Sequence, residues 1–257
     1  MTKRLLQLCR LIPPNGNGFA DVGTDHGFVP VWLANHGYSG RIYAFDIAEA
    51  PLNKAISLAR EHMVDDRICF SVSDGLDACP PGLVDCIMIA GLGGDAICRI
   101  LDRAEWILDR GYTLILQPMT HAEVVRYWLI HNGFRITTEA LVSEERHIYQ
   151  ILTAKAGNCG AVSDAEYCTG IIHTDHIGED ISILYSDLLH RIEQKLVGMR
   201  RADQMDSSTF RFYAGIMQEL EKLSAGPFTT AADRIEKEEP NGKSENKNSI
   251  LLRGVRV

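Results

Sequence analysis

The sequence predicts a doubly wound α/β domain with an antiparallel edge hairpin, followed by a C-terminal helical hairpin. Strand and helix patterns alternate five times before residue 133, which is typical of a sheet with helices on both faces. A glycine loop at 23–27 follows the first strand, and Asp46 ends the second strand about twenty residues later, as in a cofactor-binding βαβ unit. With 257 residues and 46% hydrophobic content, the chain can bury this core and a smaller second unit.

The order of elements follows from the spacing of apolar and turn residues. The first ten residues predict an amphipathic helix, because Gln7 interrupts an apolar stretch that is too short for a signal peptide. Pro30 suits the first turn of a helix over 28–35, where a missing N–H costs little. The near-continuous apolar run at 84–90 is typical of a central parallel strand. The remaining elements are strands at 18–20, 42–45, 68–72 and 112–116, helices at 51–63, 95–108 and 121–132, and two edge strands at 134–142 and 147–154.

The C-terminal part has a different predicted architecture from residues 1–155, which form the cofactor-binding domain. Residues 156–178 lack clear periodicity and are predicted to be a linker. Apolar residues at three- and four-residue spacing predict two amphipathic helices between 179 and 225, separated by a turn at Asp206-Ser207-Ser208. These helices are expected to form a coiled-coil-like hairpin. The tail, 226–257, is rich in Lys, Glu and Asn and is predicted to be disordered.

Charge and cysteine content limit the classes of function. The net charge of −8 gives no support for non-specific nucleic-acid binding, so an RNA enzyme would need a local basic face. No apolar run is long enough for a membrane span, and seven cysteines without a CxxC pair indicate a reduced, cytoplasmic protein without structural zinc. His173 and His176 have metal-like spacing but no partner cluster, and we interpret them as solvated. Four basic residues either contact phosphates or form a solvated helix face: Arg191, Lys195, Arg200 and Arg201.

The glycine loop indicates which cofactor would fit. A dinucleotide site needs the pattern Gly-x-Gly-x-x-Gly, because the pyrophosphate rests on bare backbone at a helix N-terminus. Here the middle glycine is missing, and Asp25 adds negative charge where the diphosphate would lie. S-adenosylmethionine has no phosphate and carries an ammonium and a cationic sulfur, which Asp21 and Asp25 suit. Asp46 is placed to accept hydrogen bonds from ribose hydroxyls. The alternative is a strand–helix turn with no ligand.

The candidate ligand residues share one position in the predicted sheet. Gly23, Asp46, Asp74 and the segment from Ala90 to Gly94 all follow the carboxyl end of a strand. Ligands of open α/β sheets bind in the crevice at these ends. This convergence predicts a ligand site more strongly than any single motif does.

Four segments together resemble a known family. They are Asp21–Pro30, Ser73–Leu76, Ile89–Gly94 and Leu114–Pro118, and they resemble the TrmK-type bacterial tRNA (adenine(22)-N1)-methyltransferases. The resemblance covers residues 3–155 by motif and 179–224 by architecture. It implies S-adenosylmethionine as cofactor, tRNA as substrate, a Rossmann-like class I methyltransferase domain and a coiled-coil-like C-terminal domain. The chain departs from the family pattern at Gly27, Phe28, Leu92, Met119 and Gln150. Met119 bears most on function, because it replaces an amide that would lie near the substrate base.

The resemblance also implies a role for individual residues. The methionyl end of the cofactor would be held by Asp21, Gly23 and Gly27, and the ribose by Asp46. The turn Asp74-Gly75-Leu76 would hold the adenine, and Thr24 and Ile47 complete the cofactor set. The segment from Ala90 to Gly94 would form the floor where cofactor and target base meet, with Ala90 and Gly91 on the cofactor. The substrate would be contacted by Gly93, Gly94, Gln117, Pro118 and the basic residues of the hairpin.

The chemistry of the reaction assigns a role to Asp25. Adenine N1 carries an in-plane lone pair, so its methylation needs no general base but requires that the base be flipped out and aligned. The product ring is cationic, and Asp25 is the best candidate to stabilise it and to accept from the exocyclic amine. Alternatively, Asp25 caps the following helix. At the level of function, the alternatives are a methyltransferase for another RNA site or a small molecule, and a non-catalytic relative that binds cofactor or RNA.

Overall fold

The computed structural model describes residues 1–108, 111–145, 147–170 and 179–225. The predicted disordered tail, 226–257, and the two histidines of the predicted linker, His173 and His176, lie outside these residues. Among the described residues, no helix combines the length and the apolar character that crossing a bilayer requires.

The sheet has seven strands and confirms the predicted α/β class with an antiparallel edge. The strands are β1 (Gly18–Val22), β2 (Arg41–Asp46), β3 (Ile68–Val72), β4 (Cys86–Leu92), β5 (Thr113–Pro118), β6 (Phe134–Glu144) and β7 (His147–Ala156). Their order is β3-β2-β1-β4-β5-β7-β6. The first five pair in parallel, whereas β7 is antiparallel to both β5 and β6. The order reverses between β1 and β4, so a ligand crevice is expected at their carboxyl ends.

The helices cover both faces of the sheet. They are α1 (Lys3–Leu11), α2 (Phe28–Asn35), α3 (Glu49–Glu61), α4 (Gly94–Arg103), α5 (Ala122–His131), α6 (Asp164–Thr169), α7 (Glu179–Arg201) and α8 (Ser208–Ala225). One apolar cluster joins one face of the sheet to α4 and α5, and a second joins the other face to α1, α2 and α3. Because both faces are covered, all five residues of β1 are buried.

Three elements differ from the sequence prediction. The predicted helix 95–108 breaks at Ala104 into α4 and a short 3-10 helix, Glu105–Leu108. Strand β4 runs past the predicted end to Leu92, with an irregular register to β5 across Gly91, whose φ of 80° favours glycine. The predicted linker contains α6, which begins with a capping box at Ser163. A helix of six residues is too short to produce a periodic pattern.

The predicted hairpin is formed by α7 and α8. Leu188, Ile192 and Leu196 of α7 pack with Ile216 and Leu220 of α8 in a third apolar cluster. Leu141 of β6 and Ile148 of β7 pack against the same cluster. The hairpin is therefore attached to the antiparallel edge of the sheet and not to the parallel strands that end at the crevice.

A buried arginine connects the antiparallel edge of the sheet to α5 and α6. Arg126 of α5 is only 1% exposed. It donates from Nε to Glu139 Oε1 at 2.6 Å, from Nη2 to Gln150 Oε1 at 2.6 Å and from Nη1 to the carbonyl of Tyr167 at 2.9 Å. These partners lie on β6, β7 and α6. Gln150, where the chain departs from the family pattern, therefore contributes to the junction between the sheet and the C-terminal part.

Candidate active site

A cavity of about 730 Å³ lies at the carboxyl ends of the parallel strands. Its walls come from the β1–α2 loop, the ends of β2 and β4, the turn after β3, and α1. The cavity is lined by the predicted catalytic residue Asp25 and by these predicted cofactor residues: Asp21, Gly23, Thr24, Asp46, Ile47, Asp74, Gly75, Ala90 and Gly91. The structure therefore brings together residues that are up to seventy positions apart in the sequence.

The β1–α2 loop is fixed mainly by its own backbone. The N–H groups of Gly23 and Thr24 both donate to the carbonyl of Phe45, at 2.9 and 2.8 Å. Gly27 does not line the cavity: it begins α2 with a φ of 70°, and a Cβ there would lie 2.7 Å from the Cβ of Ala55 in α3. This glycine thus allows α2 and α3 to pack closely, which is a different reason from the ligand contact that the resemblance implies.

Asp25 is the most exposed carboxylate of the loop. Its side chain is 64% exposed, its φ is 48°, and its Oδ2 lies 2.6 Å from His26 Nδ1. The alternative in which Asp25 caps α2 is wrong, because Gly27 occupies the N-cap position and no side chain caps the helix. A non-glycine residue in this left-handed conformation carries a strain of about 1–3 kcal/mol, which is typical of functional sites. The Asp25 carboxylate therefore lies in the cavity wall, exposed to solvent, and His26 is its one described hydrogen-bond partner.

Asp46 is held in place by backbone donors. Its Oδ2 accepts from the N–H of Asp25 and its Oδ1 from the N–H of Ala48, both at 3.1 Å. The residue is 9% exposed and lines the cavity. A carboxylate can accept about four hydrogen bonds. Asp46 thus has two acceptor positions left for the vicinal hydroxyls of a ribose.

Asp21 is a buried carboxylate without a described cationic partner. It accepts a hydrogen bond from the Thr24 hydroxyl at 2.7 Å and is 5% exposed. Burial raises its pKa from 3.8 to about 7; the Thr24 hydrogen bond lowers it, and the nearby Asp46 charge raises it further. Because the ionised form is costly in this position, a ligand cation that entered the cavity would stabilise it. Asp21 is therefore suited to the ammonium of an amino acid.

The turn after β3 only partly fits its predicted role. Asp74 lines the cavity, but its carboxylate accepts from Arg103 Nη1 at 2.6 Å and its carbonyl from Arg103 Nη2 at 3.2 Å. Gly75 also lines the cavity, beside Ile100. The side chain of Leu76 lies in the core and not in the cavity. The backbone of this turn and the Ile100 side chain are the groups that an adenine ring would meet.

The end of β4 and the end of β5 form the opposite wall. Ala90 and Gly91 line the cavity, together with Met119, which is 48% exposed. The predicted substrate residues Gly93, Gly94, Gln117 and Pro118 are not among the described lining residues. A Cβ on Gly94 would lie 2.3 Å from the carbonyl oxygen of His121, so this glycine lets α4 approach the β5–α5 loop.

Arg4 of α1 is a cavity residue that the sequence interpretation missed. It is the only Lys or Arg among the described lining residues. Its Nη1 donates to Gln117 Oε1 at 2.6 Å, and its guanidinium carbon lies 5.2 Å from the centre of the Tyr149 ring. Gln117 is fully buried, so its predicted substrate contact is replaced by this bond to Arg4. The amphipathic pattern of α1 gave no signal for this role, which depends on where the helix packs.

The basic residues of the hairpin are exposed but not equivalent. Lys195 donates to the Tyr213 hydroxyl at 2.7 Å and lies 4.1 Å from the centre of that ring. Arg200 lies 5.6 Å from the centre of the Phe210 ring. At about 100° per residue, Lys195 and Arg200 are separated by roughly 140° around α7, so they flank its apolar stripe on opposite sides and do not share one face. Neither these residues nor Arg191 and Arg201 line the cavity.

The residues of the cavity fit S-adenosylmethionine better than a dinucleotide. The loop offers no phosphate cradle, because Asp25 stands at its centre and Gly27 is used for helix packing. The buried Asp21 matches an ammonium, Arg4 matches a carboxylate, and Asp46 matches ribose hydroxyls. Within the described residues, no group of three His, Cys, Asp or Glu side chains is arranged to hold a metal ion.

Comparisons with known proteins indicate the family to which the chain belongs. Residues 1–152 match the protein family described as methyltransferase domain. The chain is 34% identical to a tRNA (adenine(22)-N1)-methyltransferase of Bacillus subtilis over 165 residues, which are 64% of this chain and 68% of the relative. It is 32% identical to a tRNA methyltransferase homologue of Mycoplasma pneumoniae over 155 residues, which are 59% of this chain and 70% of the relative.

The similarity in structure extends beyond the similarity in sequence. The crystal structure of TrmK from B. subtilis superposes with a TM-score of 0.77 at 23% identity, over 87% of this chain and 98% of that one. TrmK from M. capricolum, solved with S-adenosyl-homocysteine, gives a TM-score of 0.70 at 21% identity, over 88% and 98%. Alignments of this extent include the helical hairpin as well as the sheet. The chain belongs to the methyltransferase-domain family and, within it, to the TrmK-type tRNA (adenine(22)-N1)-methyltransferases.

Proposed function

We propose that this protein transfers a methyl group from S-adenosylmethionine to N1 of an adenine in tRNA, at position 22. The observation that carries the proposal is the composition of the cavity wall, where the buried Asp21, the backbone-held Asp46 and the single guanidinium of Arg4 surround one space. Family membership supports the choice of tRNA and of adenine N1.

Three residues would bind different parts of the cofactor. Asp21 accepts from the ammonium, and the ammonium in turn stabilises the ionised form of this buried carboxylate. Arg4 donates to the carboxylate of the methionyl end with the N–H groups that Gln117 does not occupy. Asp46 accepts from the ribose hydroxyls. Bound S-adenosylmethionine supplies an electrophilic methyl group, and the electron pair of the broken carbon–sulfur bond stays on sulfur.

The substrate base would enter at the mouth of the cavity, between Asp25 on one side and Gly91 and Met119 on the other. Adenine N1 uses its own lone pair to form the new bond, so no residue has to remove a proton from it. The ring becomes cationic, and the exposed carboxylate of Asp25 stabilises this charge and accepts from the exocyclic amine. The strained backbone at Asp25 holds the carboxylate there before the base arrives.

The two parts of the chain would have different roles. Residues 1–155 would form the methyltransferase domain, 156–178 would connect it, and the hairpin 179–225 would bind tRNA through phosphate contacts. Arg191 and Arg201 suit these contacts best, because both are exposed and neither has a hydrogen bond or ring contact in the described part of the chain. With few such residues, the salt dependence of binding should be shallow. A tRNA substrate would place the activity in the cytoplasm.

Mass spectrometry of tRNA nucleosides provides the test. Unmodified tRNA is incubated with the protein and methyl-labelled S-adenosylmethionine, and a transcript with guanosine at position 22 is the matched control. We expect labelled 1-methyladenosine in the first transcript and none in the second. Label in another nucleoside would assign the enzyme to a different RNA site. Cofactor binding without any transfer would indicate a non-catalytic relative.

A further inference from the structure

A second groove adjoins the cofactor cavity. It has a volume of about 430 Å³ and is lined by His26, Phe28, Asn53, Lys54, Ser57, Leu58 and Glu61. His26 and Phe28 also line the cofactor cavity, so these two side chains form a wall between the two spaces. A volume of this size lies within the range of about 300–1,000 Å³ that is typical of small-ligand sites.

The shared wall is a stacked aromatic pair. The rings of His26 and Phe28 are 5.5 Å apart at their centres and are inclined by only 10°. Phe28 is 46% exposed although it is a large apolar residue at the first position of α2. The Nδ1 of His26 lies 2.6 Å from the Oδ2 of Asp25, and this contact limits rotation of the ring. An exposed ring that is fixed in this way offers a flat surface on which a nucleobase can stack, whatever its identity.

The remaining residues of the groove suit the polar part of a nucleotide. Lys54 is exposed on α3, and no ion pair or hydrogen bond is described for its ammonium within the ranges that the structure covers. Asn53 and Ser57 lie on the same helix, and Leu58 provides an apolar floor. Glu61 lies two turns, or about 10 Å, further along α3 than Lys54, so it marks the far end of the groove.

We infer that this groove binds the nucleotide next to the methylated adenosine in the RNA chain. The inference rests on the proposed function, because it needs an adenine flipped into the cofactor cavity. Flipping separates the target from its neighbours, whose stacking energy is then lost. A neighbouring base that stacks on the Phe28 side of the wall recovers part of this energy, and Lys54 contacts the phosphate of that nucleotide.

Lys54→Ala and Ser57→Trp test the inference by changing only the groove. Lys54→Ala removes the phosphate contact, and we expect the Kd and KM for tRNA to rise by about three- to ten-fold. The slope of log affinity against log salt concentration should become shallower by about one, as expected for the loss of one phosphate contact. Ser57→Trp fills the groove without a change in charge and should raise KM for tRNA to a similar extent. Arg60→Ala is the matched control, because Arg60 carries the same charge on α3 outside the groove and its side chain is 71% exposed.

Calorimetry with S-adenosylmethionine shows that each variant is folded, since none of the three substituted residues lines the cofactor cavity. The inference is overturned if Lys54→Ala and Ser57→Trp both bind and methylate tRNA as Arg60→Ala does. That failure differs from failure of the proposed function, in which the wild-type protein itself transfers no methyl group to tRNA adenine. Phe28→Leu, which keeps the apolar contact but removes the stacking surface, should raise KM for tRNA more than Phe28→Tyr.

Discussion

The cofactor cavity and the helical hairpin, 179–225, hold their charged side chains in different ways. In the cavity, Asp21 and Asp46 lie near the carboxyl ends of parallel strands, and the hydrogen bonds described for their carboxylates leave acceptor positions for a ligand. In the hairpin, Lys195 and Arg200 of α7 lie on aromatic rings of α8. The carboxylates of the cavity can therefore still bind a ligand, whereas two of the basic residues of the hairpin stabilise the hairpin itself.

The junction between the two regions should give the largest effect on stability. Arg126→Ala would remove the buried ion pair with Glu139 and the hydrogen bonds to Gln150 and to the Tyr167 carbonyl. We expect the free energy of unfolding to fall by about 3–5 kcal/mol in chemical denaturation. Arg99→Ala, on the exposed face of α4, is the control and should change it by no more than about 0.5 kcal/mol. Equal effects of the two substitutions would mean that Arg126 does not fasten the junction.

Asp21→Asn tests whether the cavity carries an uncompensated charge. Burial places the folded-state pKa of Asp21 at about 7, above the ordinary value of 3.8, so between these values the unfolded chain releases a proton that the folded chain keeps. Stability should therefore fall as pH rises from about 4 to about 7, by an amount on the order of 4 kcal/mol at about 1.4 kcal/mol per pKa unit. Urea titrations between about pH 4 and pH 7 should show this fall in the free energy of unfolding for the wild type and not for Asp21→Asn.

Asp21 should give the opposite pH dependence for the affinity of the cofactor. Because the ammonium would pair with ionised Asp21, the affinity of the wild type for S-adenosylmethionine should rise with pH up to about 7 and then level off. In Asp21→Asn this dependence should be absent. A wild-type affinity that does not change between pH 5.5 and 8 would mean that Asp21 does not pair with the ammonium.

Asp46→Ala separates cofactor binding from RNA binding. The loss of charge-assisted hydrogen bonds to the ribose should weaken S-adenosylmethionine binding by about 1–3 kcal/mol, while direct binding of tRNA stays close to that of the wild type. Asp66→Ala, in the exposed 3-10 helix Asp65–Arg67, removes the same charge away from the cavity and is the control. If tRNA binding weakened as much as cofactor binding, it would be wrong that the cavity binds the cofactor and the hairpin binds tRNA independently.

The hairpin substitutions should give the smallest effects on stability and should divide its basic residues into two pairs. Lys195→Ala and Arg200→Ala remove contacts to Tyr213 and Phe210, and each should lower the free energy of unfolding by about 0.5–1 kcal/mol. Arg191→Ala and Arg201→Ala should leave stability unchanged and weaken tRNA binding. Thermal denaturation and a tRNA titration of all four variants distinguish the pairs. If all four substitutions had the same effect on stability and on tRNA binding, the division of the basic residues into two pairs would be wrong.

The sequence predicts which polar and glycine residues follow the parallel strands, because apolar periods and turn residues are local signals, although β1, β4 and β5 each extend two residues past their predicted ends. Asp46 could be placed for this reason, since the end of β2 and the spacing from the glycine loop are both readable. Arg4 could not, because its role depends on the packing of α1 over the cavity. The close contact of Gly27 with Ala55 could not be predicted for a similar reason, because Ala55 belongs to a different helix. The contacts of Lys195 and Arg200 with Tyr213 and Phe210 could not be predicted either, because they depend on how α8 packs against α7.

The most direct test of the central claim is calorimetric titration of the wild-type protein with S-adenosylmethionine and, separately, with NAD. The charges of Asp21, Arg4 and Asp46 and the lack of a phosphate cradle predict that S-adenosylmethionine binds at one site per chain and that NAD does not bind. The cavity would not be an S-adenosylmethionine site if NAD bound more tightly, or if Asp46→Ala bound S-adenosylmethionine as tightly as the wild type does.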